Sequence, residues 1–489
     1  MNLKDLAPLV GFGTSGVRAL VSELTAPVVA AYTRVFIQHL RATGQLREGT
    51  RHCVVGWDLR PSSPAIAAAV ASGLQAEGLQ PEWAGALPTP ALALRAIQTQ
   101  SPGIMVTGSH IPFDRNGIKF YTAQGEILKA DEAGMSAQDI TQLLPTLDQV
   151  HDLAQNMAQL TQANAQDSAA LQAYRERYLQ LLPAQALAGL RIGVYQHSAV
   201  GRDFLADLLG RLGASVIPVG RSDTFVPIDT EAVSASDEAL ASQWCAEHQL
   251  HAVVSTDGDG DRPWICDEQG RFMRGDVVGI LTSRWLGVQT VVTPVSSNTA
   301  LEKSGFFAHC ARTRIGSPYV IEAMQTLAQQ GHDHIAGFEA NGGYLLQTGM
   351  KGLSPLPTRD STLPILAVLA LAQQQGLPLS ALPSQLPGRY TQADRIQNLP
   401  TAQSQALLTS LQGSPDALQA FVQFTGSQAV HTDTTDGLRI TLANDDIVHL
   451  RPSGNAPELR CYTEAASADA AQSLLTMALK QLLITIKTI

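Results

Sequence analysis

Three times along the chain a short apolar strand is followed by a loop, a helix and a second strand, and beyond about residue 385 that rhythm stops. A repeat of this kind excludes all-helical and all-strand folds and calls for α/β layers. In the first unit Cys53 to Gly56 is a strand, and Ser62-Ser63-Pro64 opens an alanine-rich helix ending near Gly78, with a serine cap and an early proline as start signals. In the second, Arg191 to Tyr195 is a strand, a helix runs from about Arg202 to Leu212, and Gly213 stops it before Val216-Ile217. The third has Thr290 to Thr293 as strand, a helix near Ser317 to Gln329, and Ile335 to Gly337 as strand. Residues 136–182, rich in Gln, Ala and Leu, are expected to be helix joining the first unit to the second.

The last hundred residues follow another pattern. Leu438 to Leu442, a turn at Asn444-Asp445-Asp446, and Ile447 to Leu450 predict a hairpin. A strand over Leu459 to Tyr462 then precedes a helix capped near Ser467, with Leu474, Leu475, Leu479, Leu482 and Leu483 as its apolar face. The expected fold class is α/β, in four domains: three α/β mixed-sheet domains over 1–150, 170–276 and 277–385, and a C-terminal α+β domain over 389–489. A length of 489 residues agrees with three or four domains.

The balance of 33 basic against 43 acidic residues, a net charge of −10, argues against nonspecific nucleic-acid binding. The longest apolar stretch, Pro364 to Ala372, falls far short of a membrane span, and the N-terminus lacks a charged-then-apolar signal pattern. Five scattered cysteines (Cys53, Cys245, Cys266, Cys310, Cys461) without CxxC spacing argue for a reducing cytoplasm and against a disulfide framework or zinc site. A cytoplasmic protein, monomer or homodimer, with no nucleic-acid or membrane partner is the expectation.

Four loops carry the chemistry. In Ser255-Thr256-Asp257-Gly258-Asp259-Gly260-Asp261-Arg262, three carboxylates alternate with glycines, so all three can turn toward one hard cation, Mg²⁺ or Ca²⁺. A calcium EF-hand loop would need glycine at its sixth position, where Arg262 stands, and helical flanks, where His251 to Val254 and Trp264 to Cys266 predict strands. A Mg²⁺ site between strands is favoured over a solvated acidic turn. Val106-Thr107-Gly108-Ser109-His110-Ile111-Pro112 places Ser109 in a Thr/Gly/Pro turn after a strand, a setting for an exposed hydroxyl; an ordinary turn serine is the plain alternative. It is not a nucleophile elbow, because Thr107 and Ile111 hold the outer positions, and adjacent Ser109 and His110 suit a Ser-His dyad poorly. Arg451-Pro452-Ser453-Gly454-Asn455 joins a guanidinium, a hydroxyl, backbone amides and a carboxamide in a cradle for a phosphate dianion. Gly337 to Gly343 follows a strand and offers Glu339 and Asn341, groups that hydrogen-bond adjacent sugar hydroxyls; taken singly, a plain turn is the alternative for each of these two loops, with Arg451 a surface cation and Glu339 a solvated acid.

Together with Gly13-Thr14-Ser15-Gly16-Val17-Arg18 and Asp58-Leu59-Arg60-Pro61-Ser62-Ser63, these loops resemble, in order and over almost the whole chain, the α-D-phosphohexomutase superfamily. That superfamily contains phosphomannomutases, phosphoglucomutases and phosphoglucosamine mutases. The resemblance implies four domains around a central cleft and interconversion of hexose 6-phosphate and hexose 1-phosphate, mannose first and glucose also, with hexose 1,6-bisphosphate as primer and intermediate. It implies Ser109 as the phosphoserine, and Asp257, Asp259 and Asp261 with Ser109 as Mg²⁺ ligands. Arg18 and Arg262 would be cations near the phosphoryl, and Lys119 and His110 the candidates for moving the sugar hydroxyl proton. Glu339 and Asn341 would hold the sugar, and Arg451, Ser453, Gly454 and Asn455 the phosphate not being transferred. Ile111 stands where asparagine is usual, Asn341 where serine is, Gly343 where many members have histidine, and Asn455-Ala456 where Thr-Glu is usual. The sugar-side proton donor is therefore left open. Phosphoglucosamine mutase is the alternative, followed by a non-catalytic sugar-phosphate-binding relative and a metal-dependent phosphatase.

Overall fold

Alternating apolar strands and alanine-rich helices build two units in the computed structural model, Met1–Val291 with Gly316–Leu382, and Val292–Ile315 with Pro383–Ile489. The structure describes residues 1–143, 153–162, 168–231, 233–453 and 457–486. The larger unit begins with a seven-stranded mixed sheet. Its strands run in the order Gly11–Phe12, Val17–Leu20, Arg115–Thr122, Gly103–Val106, His52–Trp57, Gln80–Ala86, and Gly125–Glu126 pairs with Arg115–Thr122. Gly103–Val106 lies parallel to His52–Trp57 and antiparallel to Arg115–Thr122, so both central strands are buried on both faces and read as apolar runs. A four-stranded sheet follows in the order Pro263–Cys266, Ala252–Thr256, Arg191–His197, Ser215–Arg221. An antiparallel run of Ile335–Phe338, Tyr344–Leu346 and Leu356–Asp360 comes later in the same unit.

Several local expectations hold and several fail for identifiable reasons. The helix expected over Ser317–Gln329 has those bounds; Gly316 precedes it at φ 134 and Pro318 lies in its first turn. The helix Ser63–Ala76 starts after Ser62 as expected, yet the Ser62 side chain does not cap it. Its Oγ accepts instead from Asn116 Nδ2 at 2.9 Å, while Ser63 Oγ donates to Asp58 at 2.6 Å. A helix from residue 136 onward is overturned at its start: Lys129–Ala137 ends there, Gln138 is extended, and Thr141 closes a side-chain turn on Asp139. Helices do occupy Leu153–Gln162 and Ala169–Leu181, and the rest of that expectation, 144–152 and 163–167, lies outside the described residues.

In the smaller unit, strands order as Tyr390–Gln397, Glu458–Ala465, Ile447–Pro452, Leu438–Leu442, Ala429–Asp433, with the expected hairpin at its centre. Ala468–Ile486 packs Leu474, Leu475 and Leu482 into the core of this sheet, and Ala470 N donates to Ser467 Oγ at 3.2 Å. Leu483, assigned to the same face, is 48% exposed. At 100° per residue it lies on the flank of the stripe set by Leu475, Ala478 and Leu482.

Two buried histidines are expected to make the fold acid-sensitive. His449 Nε2 bonds the Asp436 carbonyl at 2.6 Å, and His197 Nε2 the Thr256 carbonyl at 2.8 Å. Both Nδ1 atoms are buried without a partner among the described residues. Burial, the largest influence, pushes both down to about 4. An unfolded histidine titrates near 6.5, so between pH 6.5 and 4 the unfolded chain binds more protons and stability falls as pH falls. At pH 5 each should cost about 2 kcal/mol relative to pH 7.5. Urea unfolding at the two pH values measures this, and His449→Phe should flatten the dependence of the smaller unit; an unchanged slope counts against the buried neutral ring.

Candidate active site

The Ser109 loop leaves the end of the buried strand Gly103–Val106, and its shape is dictated by two charged residues on the neighbouring 58–63 turn. Asp58 Oδ2 accepts from Thr107 Oγ1 at 2.7 Å, and Thr107 Oγ1 accepts from Ser109 N at 2.8 Å. Arg60, with no exposed side-chain surface, donates to four loop carbonyls: Ser109 at 2.9 Å, Ile111 at 2.6 Å, Pro112 at 2.8 Å and Arg115 at 2.9 Å. Phe225 covers the guanidinium at 4.0 Å. Position 108 needs glycine, because a Cβ there would stand 2.6 Å from Arg60 Nε and Cζ. Ser109 is thereby held at φ 53, a left-handed conformation uncommon for a residue with a side chain. Its hydroxyl is not exposed as the sequence suggested; the residue retains 1% of its surface, because the aspartate loop closes over it.

That second loop joins the antiparallel strands Ala252–Thr256 and Pro263–Cys266, as the strand-flanked reading requires. Asp257 Oδ1 accepts from the backbone amides of Asp261 and Arg262, both at 3.2 Å, which folds the loop back on its first carboxylate. Asp257 Oδ2 accepts from Ser109 Oγ at 2.6 Å. Gly258 permits the approach, since a Cβ would lie 2.8 Å from the Ser109 carbonyl. Asp259 Oδ2 accepts from Thr89 Oγ1 and from Lys119 Nζ, each at 2.6 Å. Asp261 Oδ2 is 2.6 Å from Lys119 Nζ and 2.8 Å from Arg359 Nη2.

Ligand oxygens of the three aspartates lie within 4.8 Å of one another, and all three residues are buried. Oδ1 of Asp259 and Oδ1 of Asp261 are buried with no hydrogen-bond partner among the described residues. Burial, then the charges of Asp259 and Asp261, push Asp257 well above the usual carboxylate range. Burial also works against ionised Asp259 and Asp261, but it is outweighed by Lys119 at the former and by Arg359 and Lys119 at the latter, so both are held below that range. A cluster of hard oxygens with unsatisfied lone pairs fits a divalent cation with a preference for oxygen.

Cations line the other side. Lys119 is raised above its ordinary value: burial opposes its charge, and Asp259 and Asp261 overcome it. Arg262 Nη1 donates to His110 Nδ1 at 3.0 Å, and Ser109 Oγ is 3.4 Å from the same nitrogen. A guanidinium can only donate, so Nδ1 is the acceptor and the imidazole proton sits on Nε2. Burial, followed by Arg262 and Arg18, pushes His110 well below its usual range. Arg18, opposite Gly117 in the sheet, feels burial first and then the charges of Arg262 and Arg359, which bring it down to about 10.

Glu339 stands at the head of a tight turn. Gly342 N donates to its carbonyl at 2.9 Å, Gly343 N donates to Asn341 Oδ1 at 3.0 Å, and Thr230 Oγ1 donates to the Asn341 carbonyl at 3.1 Å. Arg359 Nη1 reaches Glu339 Oε2 at 3.2 Å.

The larger unit thus brings Ser109, His110, Lys119, Arg262 and the three aspartates into one connected network, ties Glu339 to it through Arg359, and sets Arg18 beside its cations. In the smaller unit Arg451 Nε donates to Asp436 Oδ2 at 2.8 Å, and the same oxygen accepts from Ile315 N at 2.9 Å. Ser453 is buried, its amide donating to the Glu458 carbonyl at 2.9 Å; Gly454 and Asn455 lie outside the described residues. Sequence reasoning quoted Arg60 within a motif without assigning it a task, and missed Thr89, Arg359 and Asp436. A charged pair ending the strand Leu356–Asp360, directly before the apolar helix Thr362–Gln375, was the available signal for Arg359.

Four models of the phosphoglucomutase/phosphomannomutase family match the chain: alpha/beta/alpha domain I over 10–143, domain II over 172–270, domain III over 275–390 and the C-terminal domain over 395–481. A phosphomannomutase of Salmonella muenchen is 44% identical over 478 residues, spanning 97% of this chain and 95% of that protein. Among solved structures, a phosphoglucomutase/phosphomannomutase family protein from Burkholderia thailandensis superposes with a TM-score of 0.68 at 19% identity, over 96% of each chain. The Aspergillus fumigatus N-acetylphosphoglucosamine mutase, in complex with GlcNAc-6P and magnesium, has a TM-score of 0.59 at 16% identity, over 96% of this chain and 95% of that one. Fold and relatives define an isomerase, a hexose phosphate mutase. Within that class the chain belongs to the phosphoglucomutase/phosphomannomutase family, and the α/β class with four family domains expected from its sequence is present.

Proposed function

We propose that this mutase interconverts hexose 6-phosphate and hexose 1-phosphate, mannose first and glucose also, through a phosphoserine at Ser109 and a hexose 1,6-bisphosphate intermediate. The reading rests chiefly on one contact, Ser109 Oγ 2.6 Å from Asp257, in a buried carboxylate triplet with two oxygens unsatisfied. Asp257, Asp259, Asp261 and the Ser109 oxygen would hold Mg²⁺, which when bound draws charge from the transferring phosphoryl. The choice of Mg²⁺ is supported by the all-oxygen donor set and by the magnesium of the Aspergillus relative.

The chain's own groups supply position and charge. The phosphoryl leaves Ser109 Oγ for the free hydroxyl of the sugar phosphate, whose proton ends on the freed Ser109 oxygen, with Lys119 and His110 the candidates for moving it; the bisphosphate so formed then returns its other phosphoryl to Ser109, and the proton goes back to the sugar oxygen. Charged Lys119 and Arg262, with Arg18, present N–H donors and positive charge where negative charge accumulates on the phosphoryl oxygens. His110, its Nδ1 occupied by Arg262, presents an Nε2–H. Glu339 and Asn341 take sugar hydroxyls, and Arg451, Ser453, Gly454 and Asn455 take the phosphate that stays. Arg451 suits that task because Asp436 fixes it through Nε, leaving the two Nη groups to form a fork toward two phosphate oxygens. The domain spans 1–150, 170–276, 277–385 and 389–489 and a cytoplasmic location belong to the same proposal.

Coupled assays on mannose, glucose and glucosamine 1-phosphates, primed with bisphosphate and Mg²⁺, test it together with intact mass. One phosphoryl on Ser109 and mannose turnover fastest are expected. Ser109→Ala should abolish interconversion while sugar-phosphate binding stays measurable, and a chelator should abolish wild-type turnover. Full-rate turnover by an unmodified enzyme, or by Ser109→Ala, contradicts the mechanism, and glucosamine as the fastest substrate contradicts the sugar.

A further inference from the structure

Arg359 is a buried guanidinium, 3% exposed at its side chain, and its fork spans two loops that the sequence treats as separate. Nη2 holds Asp261 Oδ2 at 2.8 Å and Nη1 holds Glu339 Oε2 at 3.2 Å. Among the described residues this is the only ion pair of Glu339, and Oε1 makes no hydrogen bond there. The arginine is itself gripped from behind. Asp360, next in the strand and facing the other way, accepts from Tyr174 Oη at 2.6 Å, from Tyr178 Oη and from Thr362 N at 2.9 Å. Ser361 Oγ donates to the Gly260 carbonyl in the aspartate loop at 2.7 Å. The stem of Arg359 also fills the space in front of Gly343: a Cβ at position 343 would lie 2.8 Å from Cγ and Cδ and 3.1 Å from Cβ of the arginine.

We propose that Arg359 is a positioning residue for the mutase reaction: it fixes the Glu339 carboxylate at a set distance from the aspartate triplet, and Gly343 is the residue that makes room for it. The proposal rests on the functional reading above, in which Glu339 binds sugar hydroxyls and the triplet marks the place of phosphoryl transfer. Holding Oε2 of Glu339 leaves Oε1 aimed at the sugar, and shared possession of Asp261 ties that aim to the loop carrying the metal ligands. A sugar hydroxyl misplaced by about 1 Å costs on the order of 100-fold in rate, so a rigid link between the loops has a kinetic consequence. A guanidinium can do this and an ammonium cannot match it, because the two carboxylates are met by two different nitrogens of one planar fork.

Two measurements on the full-length protein test the inference. By hydrogen exchange, Arg359→Met should lower the protection of the Gly342 and Gly343 amides at least about tenfold while the Ser109 loop keeps its protection; Gly343→Ala, which displaces the arginine stem, should do the same, and Arg359→Lys should restore part of it. Unchanged protection at Gly342 and Gly343 overturns the proposal whether or not the enzyme is a mutase. In kinetics, Arg359→Met and Glu339→Gln should each lower kcat/KM about 100-fold, and the double variant should fall no more than about threefold below Glu339→Gln, because one acts through the other. Losses that multiply to about 10⁴ would show that Arg359 acts independently of Glu339 and overturn the assignment. A wild type without interconversion would sink the functional reading instead, and the exchange result would still decide what Arg359 holds.

Discussion

Lys119→Met is expected to lower turnover at least about 10³-fold and to destabilise the larger unit by about 3–5 kcal/mol. The magnitude follows from what the substitution leaves behind. Lys119 is 3% exposed and lies 2.6 Å from both Asp259 and Asp261. Its charge outweighs the burial that would otherwise push Asp259 up, and it is the one side-chain cation bonded to Asp259 among the described residues. Methionine fills the volume but strands the buried Asp259 carboxylate, while Asp261 retains Arg359 at 2.8 Å and Arg262 at 3.7 Å. Two controls separate this electrostatic account from a packing defect. Asp259→Asn added to Lys119→Met should recover part of the lost stability by removing the stranded charge. Mg²⁺ should raise the melting temperature of Lys119→Met more than that of wild type, since a site stripped of its ammonium attracts a cation more strongly. A variant within 1 kcal/mol of wild type, or one indifferent to Mg²⁺, would show that Lys119 does not balance the triplet.

The division between what sequence could and could not supply follows from the reach of each interaction. Local pattern was sufficient for the strand pair around the aspartate loop, because alternating acid and glycine between two apolar runs leaves few other conformations. It was sufficient too for Ser317–Gln329, where Gly316 and Pro318 mark the start within three residues. Local pattern misled at Ser109, whose Thr/Gly/Pro setting suggests a solvated turn; its burial comes from Asp257 on another sheet, a contact no window of neighbouring residues contains. Ser62 failed as a cap for the same reason, since Asn116 from a distant strand engages its hydroxyl. Arg359 was invisible because its significance lies in joining Asp261 to Glu339, each unremarkable as a partner until the fold brings them within one guanidinium's span. Family likeness recovered many such long-range relations for Ser109, Lys119 and the three aspartates as expectations, and was silent on the groups that hold them in place.

Arg60→Met is expected to cost about 3–5 kcal/mol and to lower kcat on the order of 100-fold with little change in KM. Four carbonyl groups of one loop, at Ser109, Ile111, Pro112 and Arg115, take hydrogen bonds from this guanidinium. No helix or sheet ladder can replace them, because the loop curls around the arginine and not along a neighbouring strand. Only the Ser109 carbonyl bears the cost of about 1–3 kcal/mol of an unpaired buried group; Pro112 and Arg115 are exposed and their carbonyls turn to solvent, and the rest of the cost comes from leaving buried Asp58, 3.3 Å from Arg60 Nε, without its guanidinium. Arg60 touches the loop and leaves sugar recognition to Glu339 and Asn341, which is why the defect should fall on kcat: the hydroxyl of Ser109 loses its left-handed backbone and its alignment with Asp257, while sugar affinity is set elsewhere. Lysine at position 60 should recover less than half of the lost stability, since three ammonium protons on a flexible stem cannot reproduce a planar fork serving four acceptors. Denaturant unfolding, steady-state kinetics and amide exchange across 109–112 read the three effects separately. Full turnover by Arg60→Met with native exchange in that loop would mean that the Ser109 conformation is intrinsic to its sequence, and the clamp would then be packing alone.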